Sequence, residues 1–69
     1  MTKKQFKDGL NSELKAEGFD NRVSKVEEIN YQTVITFQNI LGNKLTWWVI
    51  KRFENNNILF NKNQITLTK

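Results

Sequence analysis

The segment from Leu45 to Phe53, with its two adjacent tryptophans, constrains the fold most strongly. Its β-branched and aromatic content predicts a β-strand. Successive strand side chains point to opposite faces of a sheet, so Leu45, Trp47, Val49 and Phe53 would lie on one face and Trp48, Ile50 and Arg52 on the other. The chain shows only one clear helix, which covers one sheet face. The pattern therefore predicts an uncovered face with a large aromatic residue, which is a candidate binding surface.

The composition excludes several classes of function. The chain has 69 residues with neither Cys nor His, which predicts one small domain over residues 1–69 without disulfides, Cys/His metal sites or the usual catalytic triads. The glycines are too dispersed for a phosphate-binding loop. The only adjacent acidic pair, Glu27 and Glu28, would point to opposite faces of a strand. We therefore expect no cofactor, no metal and no enzymatic activity.

The charge favours a polyanionic or acidic partner. Eleven basic residues against seven acidic ones give a formal net charge of +4. A basic balance raises the expectation of nucleic acid or of an acidic protein surface. The basic start of the chain is not followed by the apolar segment of a signal peptide, and no stretch has the roughly 20 apolar residues of a membrane span. These features predict a soluble, cytoplasmic protein that does not bind membranes.

The N-terminal segment predicts a helix over about residues 3–17. Thr2 and Gln5 have the spacing of a capping box. Phe6, Leu10 and Leu14 recur every four residues and form one apolar stripe. Beyond them, Gly18 and Phe19 fit the C-terminal positions of a Schellman motif.

The remainder predicts strands joined by short turns. Residues 22–29 favour an irregular or edge strand, and strands are expected over 31–38, 45–53, 58–60 and 64–68. The loop 39–43 is predicted to be a hairpin in which Gly42 and Asn43 supply positive φ angles. The predicted fold is an α+β two-layer sandwich, with one N-terminal helix packed on a four- or five-stranded antiparallel meander sheet. Its expected core is Phe6, Leu10, Leu14, Phe19, Ile35, Phe37, Leu45, Trp47, Val49, Ile65 and Leu67.

The candidate site lies on the sheet face opposite the helix. It comprises an apolar and aromatic set with nearby cations: Val34, Trp48, Ile50, Arg52, Lys25 and Lys44. Lys51 is added to this set although its position points toward the helix side, because its long side chain could bring the charge round to solvent. Three interpretations stay open. Trp48 could be covered by another segment, or the face could be a protein interface, since Trp and Arg are enriched there. Alternatively, the aromatic ring could stack on bases while the cations meet phosphates.

We favour a small, non-enzymatic regulatory module that binds nucleic acid. The alternative is an inhibitor or adaptor that binds a host protein through the aromatic sheet face. A homodimer is compatible with both, because so small a domain gains stability by burying an apolar patch.

The chain resembles two groups of proteins, one in the order of its predicted elements and one in its composition. The predicted α-β-β-β order resembles the first part of a double-stranded-RNA-binding domain in topology only. That family closes with a basic C-terminal helix, where this chain has the alternating segment from Ile65 to Thr68. The short, Asn- and Lys-rich chain also resembles small proteins of Gram-positive phages and mobile elements, which implies binding to nucleic acid or to a host machine.

Overall fold

Two helices cover one face of a four-stranded antiparallel sheet. The computed structural model describes residues 2–68. Its elements in chain order are α1 (Lys3–Ala16), β1 (Val23–Ile29), β2 (Gln32–Phe37), α2 (Asn43–Arg52), β3 (Asn57–Asn61) and β4 (Gln64–Thr68). The predicted α+β two-layer class is confirmed, and the second helix was not predicted.

Helix α1 begins and ends where its sequence signals indicate. The Gln5 amide donates to the Thr2 hydroxyl at 3.1 Å, and the Thr2 amide donates to the Gln5 side chain at 2.9 Å, which completes the capping box. At the other end, Gly18 has a φ of 83° and the Phe19 amide donates to the Leu14 carbonyl at 3.0 Å. This is the predicted Schellman closure.

The strands do not form the predicted meander. Their spatial order is β1-β2-β4-β3, with antiparallel pairing between all neighbours. The chain leaves the sheet after β2, forms α2, and returns at the far edge as β3. As a result β4 fills the position beside β2, and β1 and β3 form the two edges.

The sheet has one apolar face and one polar face. The core lies between the helices and the sheet, and its buried residues are Leu10, Leu14, Val23, Ile35, Phe37, Leu45, Val49, Phe53, Ile65 and Leu67. Pairing of Ile35 with Ile65 fixes the register, because it places the branched side chains of the central strands beneath the helices. The opposite face carries mainly Thr, Gln and Asn, and neither helix of residues 2–68 lies over it.

The predicted strand over 45–53 is wrong, because most of this segment forms α2. Leu45, Val49 and Phe53 recur every four residues and are all buried, as expected for one stripe of a helix. Helix formation also removes the predicted hairpin turn. Gly42 is the N-cap with a φ of −82°, so neither it nor Asn43 has a positive φ.

A buried asparagine fixes the loop that leads into α2. The Asn21 side chain is only 8% exposed, and its amide donates to the Asn39 carbonyl at 2.8 Å. Its oxygen accepts from the amides of Arg22 and Asn39 at 3.0 and 2.9 Å. Asn21 thus connects the segment before β1 to the segment after β2, with all its polar atoms engaged. This connection fixes where the chain departs from the sheet to begin α2.

The β1–β2 hairpin has a turn of unusual composition. Asn30 and Tyr31 have φ angles of 49° and 66°, the left-handed pair typical of a two-residue hairpin turn. Glycine is the preferred second residue of such turns, since a side chain there is strained. Tyr31 is nevertheless fully exposed. No packing within the described chain therefore offsets the strain of its backbone.

We expect Tyr31→Gly to stabilise the fold by about 1 kcal/mol, because glycine adopts the left-handed conformation without steric cost. Urea unfolding followed by circular dichroism measures the change. Tyr31→Ala is the matched control, since it removes the ring but keeps the β-carbon, and it should leave stability nearly unchanged. A less stable glycine variant would show that the ring itself supports the hairpin.

Candidate binding surface

Helix α2 carries five of the predicted site residues, but it distributes them around its circumference. Trp48 is half-buried, with its ring centroid 6.0 Å from that of Phe19 in an edge-on arrangement. The prediction that Trp48 lies on an open face is therefore wrong. Trp47, which was placed in the core, is 71% exposed. The reversal follows from the helix, because in a helix Trp48 adjoins the buried stripe of Leu45 and Val49 while Trp47 points away from it.

Arg52 lies on the side of α2 that faces α1. Its guanidinium donates to both carboxylate oxygens of Glu13, at 2.8 and 3.2 Å, and lies 5.2 Å from the centroid of the Phe53 ring. The hydrogen bond to Glu13, opposed in part by burial, raises the pKa of Arg52. Arg52 therefore links the two helices, and its charge is neutralised locally. As a pair at the protein surface it contributes about 0–1 kcal/mol to stability.

The two predicted site residues on strands are separated from α2 by the sheet. Val34 and Lys25 lie on the uncovered sheet face, where Val34 is paired with Glu27 across the β1–β2 ladder. The Lys25 ammonium lies 3.4 Å from the Glu27 carboxylate. Thr36 accepts a hydrogen bond from Gln64 on the same face at 3.1 Å. This face is thus neutral and hydroxyl-rich, and the predicted combination of aromatic and cationic residues is not formed there.

The outward side of α2 brings a different set together. At about 100° per residue, Lys44, Trp47 and Lys51 fall within roughly 60° of one another, on the side opposite Val49. All three side chains are exposed. We call these three residues the α2 outer face. Since α2 contains no acidic residue, two cations flank an accessible indole ring with no carboxylate from the same helix.

The start of α1 places cations near the C-terminal end of α2. The rings of Phe6 and Phe53 are 6.3 Å apart, so the first turns of α1 lie beside the last turn of α2. Lys3 and Lys4 precede Phe6 and are exposed. No acidic residue occupies the first turn of α1, but Glu28 lies beside Lys3, and the exposed Glu54 follows the end of α2.

A shallow apolar groove runs along the other side of α2. It has a volume of about 360 Å³ and lies between α2 and the edge strand β3, where Ile50, Ile58 and Phe60 supply its apolar lining and Glu54, Asn56 and Asn57 its polar lining. Ile50 and Phe60 are 38% and 41% exposed, respectively. Ile50, one of the predicted site residues, therefore belongs to this groove rather than to the α2 outer face.

Residues 2–68 contain neither a cluster of acidic side chains suited to a metal ion nor a helix that could cross a membrane. Within that range, no three Asp or Glu side chains are grouped closely enough to hold a metal ion. Glu27 pairs with Lys25, and Glu28 lies on the other side of β1 beside Thr2 and Lys3. Neither helix in this part of the chain is long and apolar enough to cross a membrane.

Comparison of the chain with protein-family models, with curated proteins and with solved structures gives no match.

The two tryptophans should differ sharply in their contribution to stability. Trp48→Ala removes the contact with Phe19 beside the core, so we expect it to lower the free energy of unfolding by about 2–3 kcal/mol. Trp47→Ala should change it by less than about 0.5 kcal/mol, because the side chain is mostly in solvent. Chemical denaturation of both variants tests this difference. Equal losses would contradict the helical assignment of this segment.

Proposed function

We propose that this protein is a small, non-enzymatic module that binds nucleic acid through the α2 outer face. The supporting observation is the exposure of Trp47 between Lys44 and Lys51 on a helix without acidic residues. An exposed indole ring is accessible to a partner, and here its neighbours are cations. This combination matches the chemistry of stacked bases and their phosphates.

The geometry favours single-stranded over double-stranded nucleic acid. An indole ring in solvent can stack on an unpaired base, a contact worth about 1–3 kcal/mol per base. Lys44 and Lys51 are each about one helical turn from Trp47 along the chain, so their flexible side chains can reach the phosphates on either side.

The uncovered sheet face is a poorer candidate for nucleic acid. Its one lysine in β1, Lys25, is already paired with Glu27, and its central strands carry hydroxyl and amide side chains rather than aromatic rings. Arg52, paired with Glu13, is also a weak candidate for a phosphate contact. Binding through α2 thus retains Lys44 and Lys51 from the set predicted by sequence and replaces Trp48 with Trp47.

A protein partner is the second candidate, and one observation favours it. Ile50 adjoins Trp47 on α2 and continues into the apolar groove beside β3. Aromatic and aliphatic residues in contact are typical of the centre of protein interfaces. On this alternative the protein would be an inhibitor or adaptor of a host protein, of the kind encoded by phages and mobile elements.

Binding to a fluorescein-labelled oligothymidylate, measured by anisotropy over a range of salt concentrations, tests the proposal. We expect Trp47→Ala to weaken binding by about 5- to 100-fold, since it removes one stacking contact. Lys51→Ala should weaken binding and lower the slope of log K against log salt by about 0.7, because one phosphate contact is lost.

Lys25→Ala is the matched control, because it removes the same charge from the sheet face and should leave both affinity and salt slope unchanged. A mixed-sequence duplex serves as a second ligand and should bind more weakly. Loss of affinity in the Lys25 variant, with normal binding by the Trp47 variant, would place the site on the sheet. Absence of salt-dependent binding to either ligand would favour the protein partner.

A further inference from the structure

The two edges of the sheet are protected very differently. Edge strand β1 carries Lys25, Glu27 and Glu28 and has a register irregularity between Val23 and Lys25. Charges and bulges are the usual means by which proteins prevent an edge from pairing with another strand. Edge strand β3 has neither, since its sequence is Asn-Ile-Leu-Phe-Asn, its ladder with β4 is regular, and Leu59 is 68% exposed.

The ladder between β2 and β4 shows which residues of β3 direct their backbone N–H and C=O groups away from the sheet. The Phe37 amide donates to the Asn63 carbonyl at 2.7 Å, so the backbone groups of Asn63 point toward β2. Because direction alternates along a strand, those of Ile65 also point toward β2, whereas those of Thr66 point toward β3. Thr66 pairs with Leu59. The backbone groups of Ile58 and Phe60 therefore point outward from the sheet edge.

These two outward residues are related by symmetry about Leu59. In an antiparallel pair of two β3 strands centred on Leu59, Ile58 faces Phe60 of the second copy, and Asn57 faces Asn61. Ile58 and Phe60 would exchange both backbone hydrogen bonds, and the same exchange would occur on the other side of the axis. The five-residue strand has an amide at each end and apolar residues within, so its side-chain pattern is also nearly the same in both directions.

We propose that β3 pairs with β3 of a second copy of this chain around a two-fold axis at Leu59, which creates a continuous eight-stranded sheet. The occupant is a second copy because both the backbone phase and the side-chain pattern of β3 are complementary to themselves. On the uncovered sheet face the two Leu59 side chains would lie opposite each other. On the helical face, Phe60 of the second copy would lie opposite Ile58 and extend the apolar lining of the groove beside α2.

The charge distribution is compatible with this pairing. Each copy has a formal net charge of +4, so most modes of self-association bring like charges together. Strand β3 carries no charged residue. The nearest cation is Lys62, three residues after Leu59. In a ladder centred on Leu59 it would lie opposite Asn56 of the second copy, which is three residues before Leu59.

Position 59 offers a test that is specific to this register, because it is the one position in the strand that faces itself. Sedimentation equilibrium of the wild-type chain should show a reversible dimer. Leu59→Lys and Leu59→Glu each oppose two like charges and remove two leucines from the interface, so each should raise the dimer dissociation constant by about 100-fold or more. An equimolar mixture of the two variants should dimerise again, because the opposed charges then attract.

Ile40→Lys is the matched control. Ile40 is 74% exposed and lies in the loop before α2, so this variant introduces the same charge away from β3 and should dimerise as the wild type does. Thermal unfolding at low concentration verifies that the variants at position 59 keep the fold. A monomeric wild-type chain at the highest attainable concentration would overturn the proposal. So would dimers that persist in both single variants, or a mixture of the variants that stays monomeric.

Discussion

The structure depends on the burial of one sheet face by two helices. The central strands place Ile35, Ile65 and Leu67 on that face, and all three are almost completely removed from water. The stripe of α1 is narrow, with Leu10 and Leu14 as its buried residues, and cannot cover four strands by itself. Helix α2 supplies the missing cover. Its buried stripe and its outer face are therefore consequences of the same helical period.

Local signals in the sequence were sufficient for α1 and for most of the sheet. The capping box, the apolar repeat and the Schellman glycine each act within one or two turns of helix, so they do not depend on tertiary context. Alternation in the segment Gln64–Thr68 likewise identified a half-buried strand. The order of the strands could not be obtained in this way. It depends on where the chain returns after α2, which is set by packing over the sheet and by the connection that Asn21 makes to Asn39.

The segment from Leu45 to Phe53 was misassigned as a strand because the spacing of its apolar residues fits both a strand and a helix. Leu45, Val49 and Phe53 are separated by four residues, a spacing that places them on one side of both a strand and a helix. The tryptophans differentiate the two cases, since a strand places Trp47 with Val49 and a helix places Trp48 with Val49. Leu41, half-buried four residues before Leu45, keeps the same spacing and therefore does not decide between them.

The same ambiguity between strand and helix explains why only some residues of the candidate site were predicted. Lys44 and Lys51 differ by seven residues, which is two turns of a helix, so both remain on the exposed side. Trp47 and Trp48, in contrast, exchange roles when the period changes. Lys25 and Val34 were grouped with the tryptophans only because the segment was taken as a neighbouring strand. In the folded chain the thickness of the sheet separates them from α2.

The difference between the two sheet edges also determines how far any association by strand addition can proceed. A subunit with two open edges could add copies indefinitely and form a fibre. Here the charged and irregular β1 edge opposes addition, whereas β3 does not. The proposed contact of β3 with itself would occupy the same surface on both partners and leave only β1 edges outside. Growth would then end at a closed two-fold dimer, and the barrier to polymerisation would lie in β1, a strand remote from the contact.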